Sequence, residues 1–151
     1  NNSVVLRVNF VGLGGGLVDW LIEMSNKKNK ITLFEDVIFN PIYMPDLVNI
    51  IARLVDERYF GVFNIGSSGE SMTKAEYAKK IIVKLHLEMA EVITGKIKDL
   101  KHILAPRSTD MSINVSKIEN SLGIQLPSLE EGIESISIDY IQTQKKHEKR
   151  N

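Results

Sequence analysis

The sequence predicts an α/β fold with parallel strands, and three observations carry that expectation. Short apolar runs of strand length alternate with longer segments whose apolar residues recur at helical spacing. Two helix starts are marked by capping boxes, Thr73 with Glu76 and Ser128 with Glu131, in which each side chain satisfies a free N–H near the other. A third start, Pro45-Asp46, follows an extended stretch directly. Proline fits the first turn of a helix, and an acid beside it complements the positive end of the helix dipole.

In chain order, Val4 to Val11 reads as one buried strand, interrupted by polar Arg7 and Asn9. The run Gly12-Leu-Gly-Gly-Gly16 breaks it, and Leu17, Trp20, Leu21 and Met24 then mark one face of a short helix. Lys30 to Asp36 is the next strand. The corner Phe39-Asn-Pro-Ile-Tyr-Met-Pro-Asp-Leu47 turns it into a helix reaching about Glu57. Pro41 biases Asn40 toward extended geometry, and Leu47, Ile50, Ile51, Leu54 and Val55 recur at helical spacing. Gly61 to Gly66 is a short strand, and the helix after Thr73 buries Tyr77, Ala78, Ile81, Ile82 and Leu85. Glu91 to Lys98 is weakly extended. Leu104 to Ser108 is irregular, and Val115 to Leu122 is a short helix stopped by Gly123. The last helix is lined by Leu129, Ile133, Ile136 and Tyr140, and Gln142 to Asn151 is expected to be a frayed, polar, basic tail.

Composition narrows the function. Of 151 residues, 43% are hydrophobic and 25% charged, which suits one globular domain with a core. Formal net charge is zero, so no global field favours nucleic acid or a membrane surface. There is no Cys, and the three His are scattered, so no metal site is expected. No apolar run reaches the length of a membrane span and no signal peptide opens the chain, so the expected location is cytoplasmic. The first residue is Asn rather than Met, so the chain is expected to be a fragment.

Each candidate motif has a bland competitor. A strand, Gly12-x-Gly14, a helix and a strand ending in Glu35-Asp36 imitate a dinucleotide-binding unit. The third glycine of that motif is Leu17 here, so a flexible loop is the preferred reading. Arg7 and Asn9 share one side of a strand. Either they face water on an edge strand, or the strand end carries Asn9 into a ligand crevice. Arg107, stiffened by Pro106, is either a solvated arginine or a planar fork for a diphosphate. Tyr43 reads first as a core aromatic. No nucleophile elbow or triad signature supports a hydrolase, and Lys145, Lys146, Lys149 and Arg150 read as a solvated tail.

Five segments in order resemble the C-terminal half of extended short-chain dehydrogenase/reductases acting on nucleotide sugars, nearest the dTDP-4-dehydrorhamnose reductase group. They are Leu6-Arg-Val-Asn-Phe-Val-Gly12, Asn40-Pro-x-Tyr-x-x-Asp-Leu47, Gly61-Val-Phe-Asn-Ile-Gly66, Ala105-Pro-Arg-Ser-x-Asp-x-Ser112 with Ser116-Lys-Ile and Leu122-Gly123, and Pro127-Ser-Leu-Glu-Glu-Gly132. The resemblance implies the C-terminal part of a Rossmann-like parallel sheet plus a small substrate-binding subdomain. It implies a substrate-binding half over residues 1–141 and a disordered tail over 142–151. Asn9 and Phe10 would lie near the nicotinamide of NAD(P), Asn9 also near the sugar diphosphate. Arg107 would grip the diphosphate, and Asn40 and Tyr43 would border the substrate pocket.

The departures matter as much. The cofactor loop and the catalytic Tyr-x-x-x-Lys are absent: the four tyrosines are followed four positions later by Leu47, Phe63, Ile81 and Gln144. Ser108 stands where the reductase group has Pro, and Phe39 where epimerases often carry an arginine. The expectation is therefore part of an NAD(P)-dependent nucleotide-sugar reductase, inactive alone, whose partners are a nucleotide-diphosphate sugar, the missing N-terminal half and a possible second copy. An epimerase or dehydratase, or a non-catalytic NAD(P)- or sugar-nucleotide-binding subunit, are the alternatives.

Overall fold

In the computed structural model, residues 3–99 and 108–148 are described. The strands are β1 (Val4–Val8), β2 (Phe10–Val11), β3 (Lys30–Phe34), β4 (Ile38–Phe39), β5 (Ile42–Tyr43), β6 (Gly61–Ile65), β7 (Met72–Thr73), β8 (Glu91–Gly95) and β9 (Asp110–Met111). The helices are α1 (Leu17–Asn26), α2 (Met44–Asp56), α3 (Lys74–Lys84), α4 (Ser116–Leu122) and α5 (Leu129–Glu148).

Pairing is mostly parallel, as the alternation predicts. β1 runs parallel to β6 with Val4 opposite Gly61, β2 to β5, and β3 to β8 with Lys30 opposite Glu91. The exception is a three-stranded sheet in which β4 lies antiparallel to β7 and parallel to β9. The expected single strand from Val4 to Val11 is divided at Asn9. Its N–H bonds the Ile65 carbonyl and its carbonyl accepts from Ile42 N–H. The chain thus changes partner from β6 to β5 at that one residue.

Two apolar clusters form the interior. In the first, α1, α3 and α5 cover β3 through Val18, Leu21, Leu33, Ile81, Ile133 and Ile136. In the second, α2 and α4 cover β6 through Leu47, Ile50, Leu54, Phe63, Ile65 and Ile118. The two-residue strand β5 ties them together. Ile42 points into the second cluster and Tyr43 into the first, as the two-residue period of a strand requires.

The corner before β5 is held by Asn40, which is 4% exposed. Its side-chain amide donates to the Ser67 carbonyl at 2.8 Å and the Ile113 carbonyl at 2.9 Å, and its side-chain oxygen accepts from Ile113 N–H at 2.8 Å. Ser67 returns the contact through its N–H to the Asn40 carbonyl and its hydroxyl to the Pro41 carbonyl. Gly66 is required by this proximity, since a Cβ there would sit 2.6 Å from the Asn40 carbonyl oxygen.

Both predicted capping boxes form, Thr73 with Glu76 and Ser128 with Glu131. Gly123 ends α4 in the left-handed conformation. Two expectations need correction. On α1 the buried pair is Val18 and Leu21, while Trp20 is 36% exposed; the helix begins at Leu17, which turns Val18 inward. The last helix continues to Glu148 instead of fraying at Gln142. Glutamine and lysine are good helix formers and simply extend a helix already anchored by Ile133 and Ile136.

The β1–β6 pair is covered on one face. On the other, the register partners Val5 and Val62 are 52% and 40% exposed, and no strand among the described residues pairs with the second edge of β1. On α2, Val48, Ile51 and Val55 form a further exposed apolar stripe.

Candidate functional site

The C-terminal end of β1 opens into a cavity of about 490 Å³. Its walls come from four places: Asn9 to Leu17 across β2 and the glycine run, Phe39 on β4 with Met111 on β9, Met44 at the start of α2, and Lys74 at the start of α3. Ligands bind beyond the C-terminal ends of parallel strands, and this is such a place.

Asn9 is fixed there on three sides. Besides its two backbone bonds, its side-chain amide donates to the Met111 carbonyl at 3.2 Å. One amide hydrogen is thus used, and the side chain keeps its oxygen and a second N–H to offer a ligand. Phe10 is 52% exposed on the cavity wall, and Phe39 and Met44 add apolar surface.

The glycine run supplies bare backbone. Gly14, Gly15 and Gly16 have φ of 102°, 139° and 89°, and a Cβ at any of the three would meet nothing within 4 Å. Gly16 is the N-cap of α1 and gives no side-chain cap, so the first turn of that helix leaves backbone N–H groups without helical partners. The Gly15 N–H bonds the Asp19 carboxylate at 2.6 Å. Among the described residues lining the cavity, Lys74 carries the only formal charge. Its ammonium lies 5.8 Å from the centroid of the Phe39 ring.

Of the residues expected at a site, the structure brings Asn9 and Phe10 to this cavity. Asn40 is not on its wall; every polar end of its side chain is used to clamp the corner. Tyr43 is 5% exposed, and its hydroxyl donates to the Asp139 carboxylate at a second depression lined by Pro45, Gln142 and Lys146. Burial, then the Asp139 hydrogen bond, pushes the Tyr43 hydroxyl well above its ordinary value, so it stays protonated at neutral pH. Arg107 lies outside the described residues. Lys74, Met44 and Met111 were not legible as site residues: each comes from a different element, and only the tertiary fold assembles them. Among the described residues no group of three or more His, Asp or Glu could hold a metal ion, and no helix is long and apolar enough to cross a membrane.

A family model described as RmlD substrate binding domain matches residues 1–141. No curated protein sequence matches the chain significantly. Solved structures share its fold. The dTDP-4-dehydrorhamnose reductase of Bacillus anthracis, solved with NADP, is similar at TM-score 0.77 and 24% identity, over 90% of this chain and 47% of that one. The dTDP-4-dehydrorhamnose reductase of Clostridium acetobutylicum gives TM-score 0.77 and 18% identity, over 92% and 48%. The dTDP-glucose 4,6-dehydratase of B. anthracis, solved with NAD, gives 0.71 and 18%, over 94% and 45%. The chain therefore spans about half the length of these proteins.

Proposed function

The chain belongs to the RmlD substrate binding domain family, and from that premise we propose that it is the substrate-binding half of an NAD(P)-dependent nucleotide-sugar reductase. The observation that supports this most is the cavity at the end of β1. It has apolar walls, open glycine backbone and a cation, and no carboxylate among the described residues lining it. Such a lining suits a ligand that combines a ring with an anionic diphosphate.

In this reading the nicotinamide supplies hydride to a keto carbon of the sugar. The residues of this chain fit its edge of the pocket: Asn9 offers a side-chain oxygen to an amide donor, and the Phe10 ring offers a flat apolar face. Asn9 and Arg107 contact the sugar diphosphate, Arg107 by its planar fork. The family's proton-donor pair, Tyr-x-x-x-Lys, does not occur in this sequence, and the Tyr43 hydroxyl is held by Asp139.

The proton donor and the cofactor loop then belong to an N-terminal half. The exposed Val5 and Val62, the open edge of β1 and the stripe Val48, Ile51 and Val55 on α2 are apolar surfaces that such a half would cover. The test is NADPH oxidation with a dTDP-4-keto sugar. The chain alone is expected to bind the sugar nucleotide and turn over none of it. Turnover by this chain alone would overturn the assignment, as would failure to bind the sugar nucleotide at all.

A further inference from the structure

We infer that Asn9 is a positioning residue that acts through β9: its side chain latches that strand to the end of β1 and so sets the Met111 wall that a ligand meets. The ligand part of this rests on the reading of the cavity as the substrate site.

The strand β9 is held differently at its two ends. Just past its C-terminal end, Ile113 is clamped by the buried Asn40, through one bond of 2.9 Å to its carbonyl and one of 2.8 Å from its N–H. Residues 108–112 are all exposed, and only Asp110 and Met111 pair with β4, beside Ile38 and Phe39. The bonds within this stretch travel with it. The Ser108 hydroxyl donates to the Asp110 carbonyl, and the Asp110 carboxylate accepts from the Ser112 N–H and hydroxyl. Its outside contacts include the Ile38 N–H to the Thr109 carbonyl at 2.8 Å and the Asn9 amide to the Met111 carbonyl at 3.2 Å. The strand β4 does not depend on β9, because its other edge pairs with β7. A segment fixed by buried bonds at one end and by exposed bonds at the other opens first at the exposed end. This makes β9 a strap with its hinge at Ile113 and its latch at Met111. Asn9 is suited to the latch. Its own N–H and carbonyl are bonded to Ile65 and Ile42, so its side chain starts from a fixed point. Met111 and Phe39 both line the cavity, so the wall is complete only when the strap is docked. A ligand packed against Met111 binds only that latched form, and binding and latching are therefore linked.

The experiment is amide hydrogen exchange of the chain, for wild type, Asn9→Ala and Asn9→Asp, with and without dTDP-glucose. The Ile38 N–H reports on the strap because its acceptor is the Thr109 carbonyl. In Asn9→Ala it should exchange about three- to tenfold faster, the scale of one lost neutral hydrogen bond. The Ile113 and Ser67 N–H groups, both bonded to Asn40, should keep their wild-type rates. Asn9→Asp should speed Ile38 exchange at least as much, since it turns a carboxylate oxygen toward the Met111 carbonyl. On unaltered protein, a readout independent of mutant folding, dTDP-glucose should slow Ile38 exchange although Ile38 is not a lining residue of the cavity.

Equal Ile38 exchange in wild type and Asn9→Ala would overturn the latch, and any loss of dTDP-glucose affinity would then belong to a direct contact. Faster exchange spread equally over Ile38, Ile113 and Ser67 would overturn it too, since Asn9 would then support the whole fold and not β9. Binding of dTDP-glucose that leaves wild-type Ile38 exchange unchanged would overturn the link between strap and ligand. A selective effect at Ile38, with no dTDP-glucose binding by wild type, would uphold the latch and refute the nucleotide-sugar reading.

Discussion

Truncating Asn40 tests whether the corner is a structural clamp or part of a pocket. Asn40→Ala removes three hydrogen bonds of 2.8, 2.9 and 2.8 Å. At about 1 kcal/mol net for each, the loss is about 3 kcal/mol. The Ser67 carbonyl is then left buried and the Ile113 N–H and carbonyl half-buried, and stranded groups add desolvation cost, so the expected loss is about 3 to 5 kcal/mol. That is a large share of the roughly 5 to 15 kcal/mol available to a domain. Urea unfolding followed by far-ultraviolet circular dichroism would show it as a midpoint lowered by about 1.5 to 2.5 M, at an unchanged slope near 2 kcal/mol/M. Asn40→Asp should cost at least as much. It keeps the acceptor for Ile113 N–H but turns a carboxylate oxygen toward two carbonyl oxygens. A loss below about 1 kcal/mol, accompanied by loss of dTDP-sugar binding, would refute the clamp and return Asn40 to the ligand site.

Other perturbations have equally definite signs. The Tyr77 hydroxyl is buried without a hydrogen-bond partner among the described residues, so Tyr77→Phe should leave stability unchanged or raise it by up to about 2 kcal/mol; a clear loss in the urea midpoint would reveal a partner. Glu76 and Glu131 are held below the usual glutamate range, in each case first by the backbone N–H of their cap residue, Thr73 and Ser128. A depressed carboxyl adds stability above its unfolded value of about 4.3 and loses it as pH falls through the folded value. The gap in melting temperature between wild type and the Glu76→Gln/Glu131→Gln variant should therefore narrow from pH 6 toward pH 3, and a constant gap would contradict this. Arg107→Ala should weaken dTDP binding by about 1.5 to 3 kcal/mol, the range for a charge-assisted bond; unchanged affinity by titration would remove Arg107 from the site.

What the sequence disclosed and what it hid differ by the range of the interactions involved. The caps at Thr73 and Ser128, the Pro45 start of α2 and the Gly123 stop are written within a few residues, and the structure has them all. The role of Asn40 was hidden because its partners lie 27 and 73 residues away. An asparagine in a family motif near a pocket suggests a ligand group until those carbonyls are in view. Lys74 reads locally as an ordinary first-turn residue, and only the folding of β4 beside β7 brings it over Phe39. The division of the first strand at Asn9 was hinted at by the polar residue itself, but the change of partner from β6 to β5 is a tertiary fact.

The most direct measurement is an amide chemical-shift map of the isotope-labelled chain titrated with dTDP-glucose, without cofactor. If this is the substrate half of a nucleotide-sugar reductase, saturable shifts should cluster at Asn9, Phe10 and Gly12 to Leu17, with thymidine alone producing weaker ones. A chain that shows no saturable shifts, or shows them only away from the cavity, would contradict the assignment.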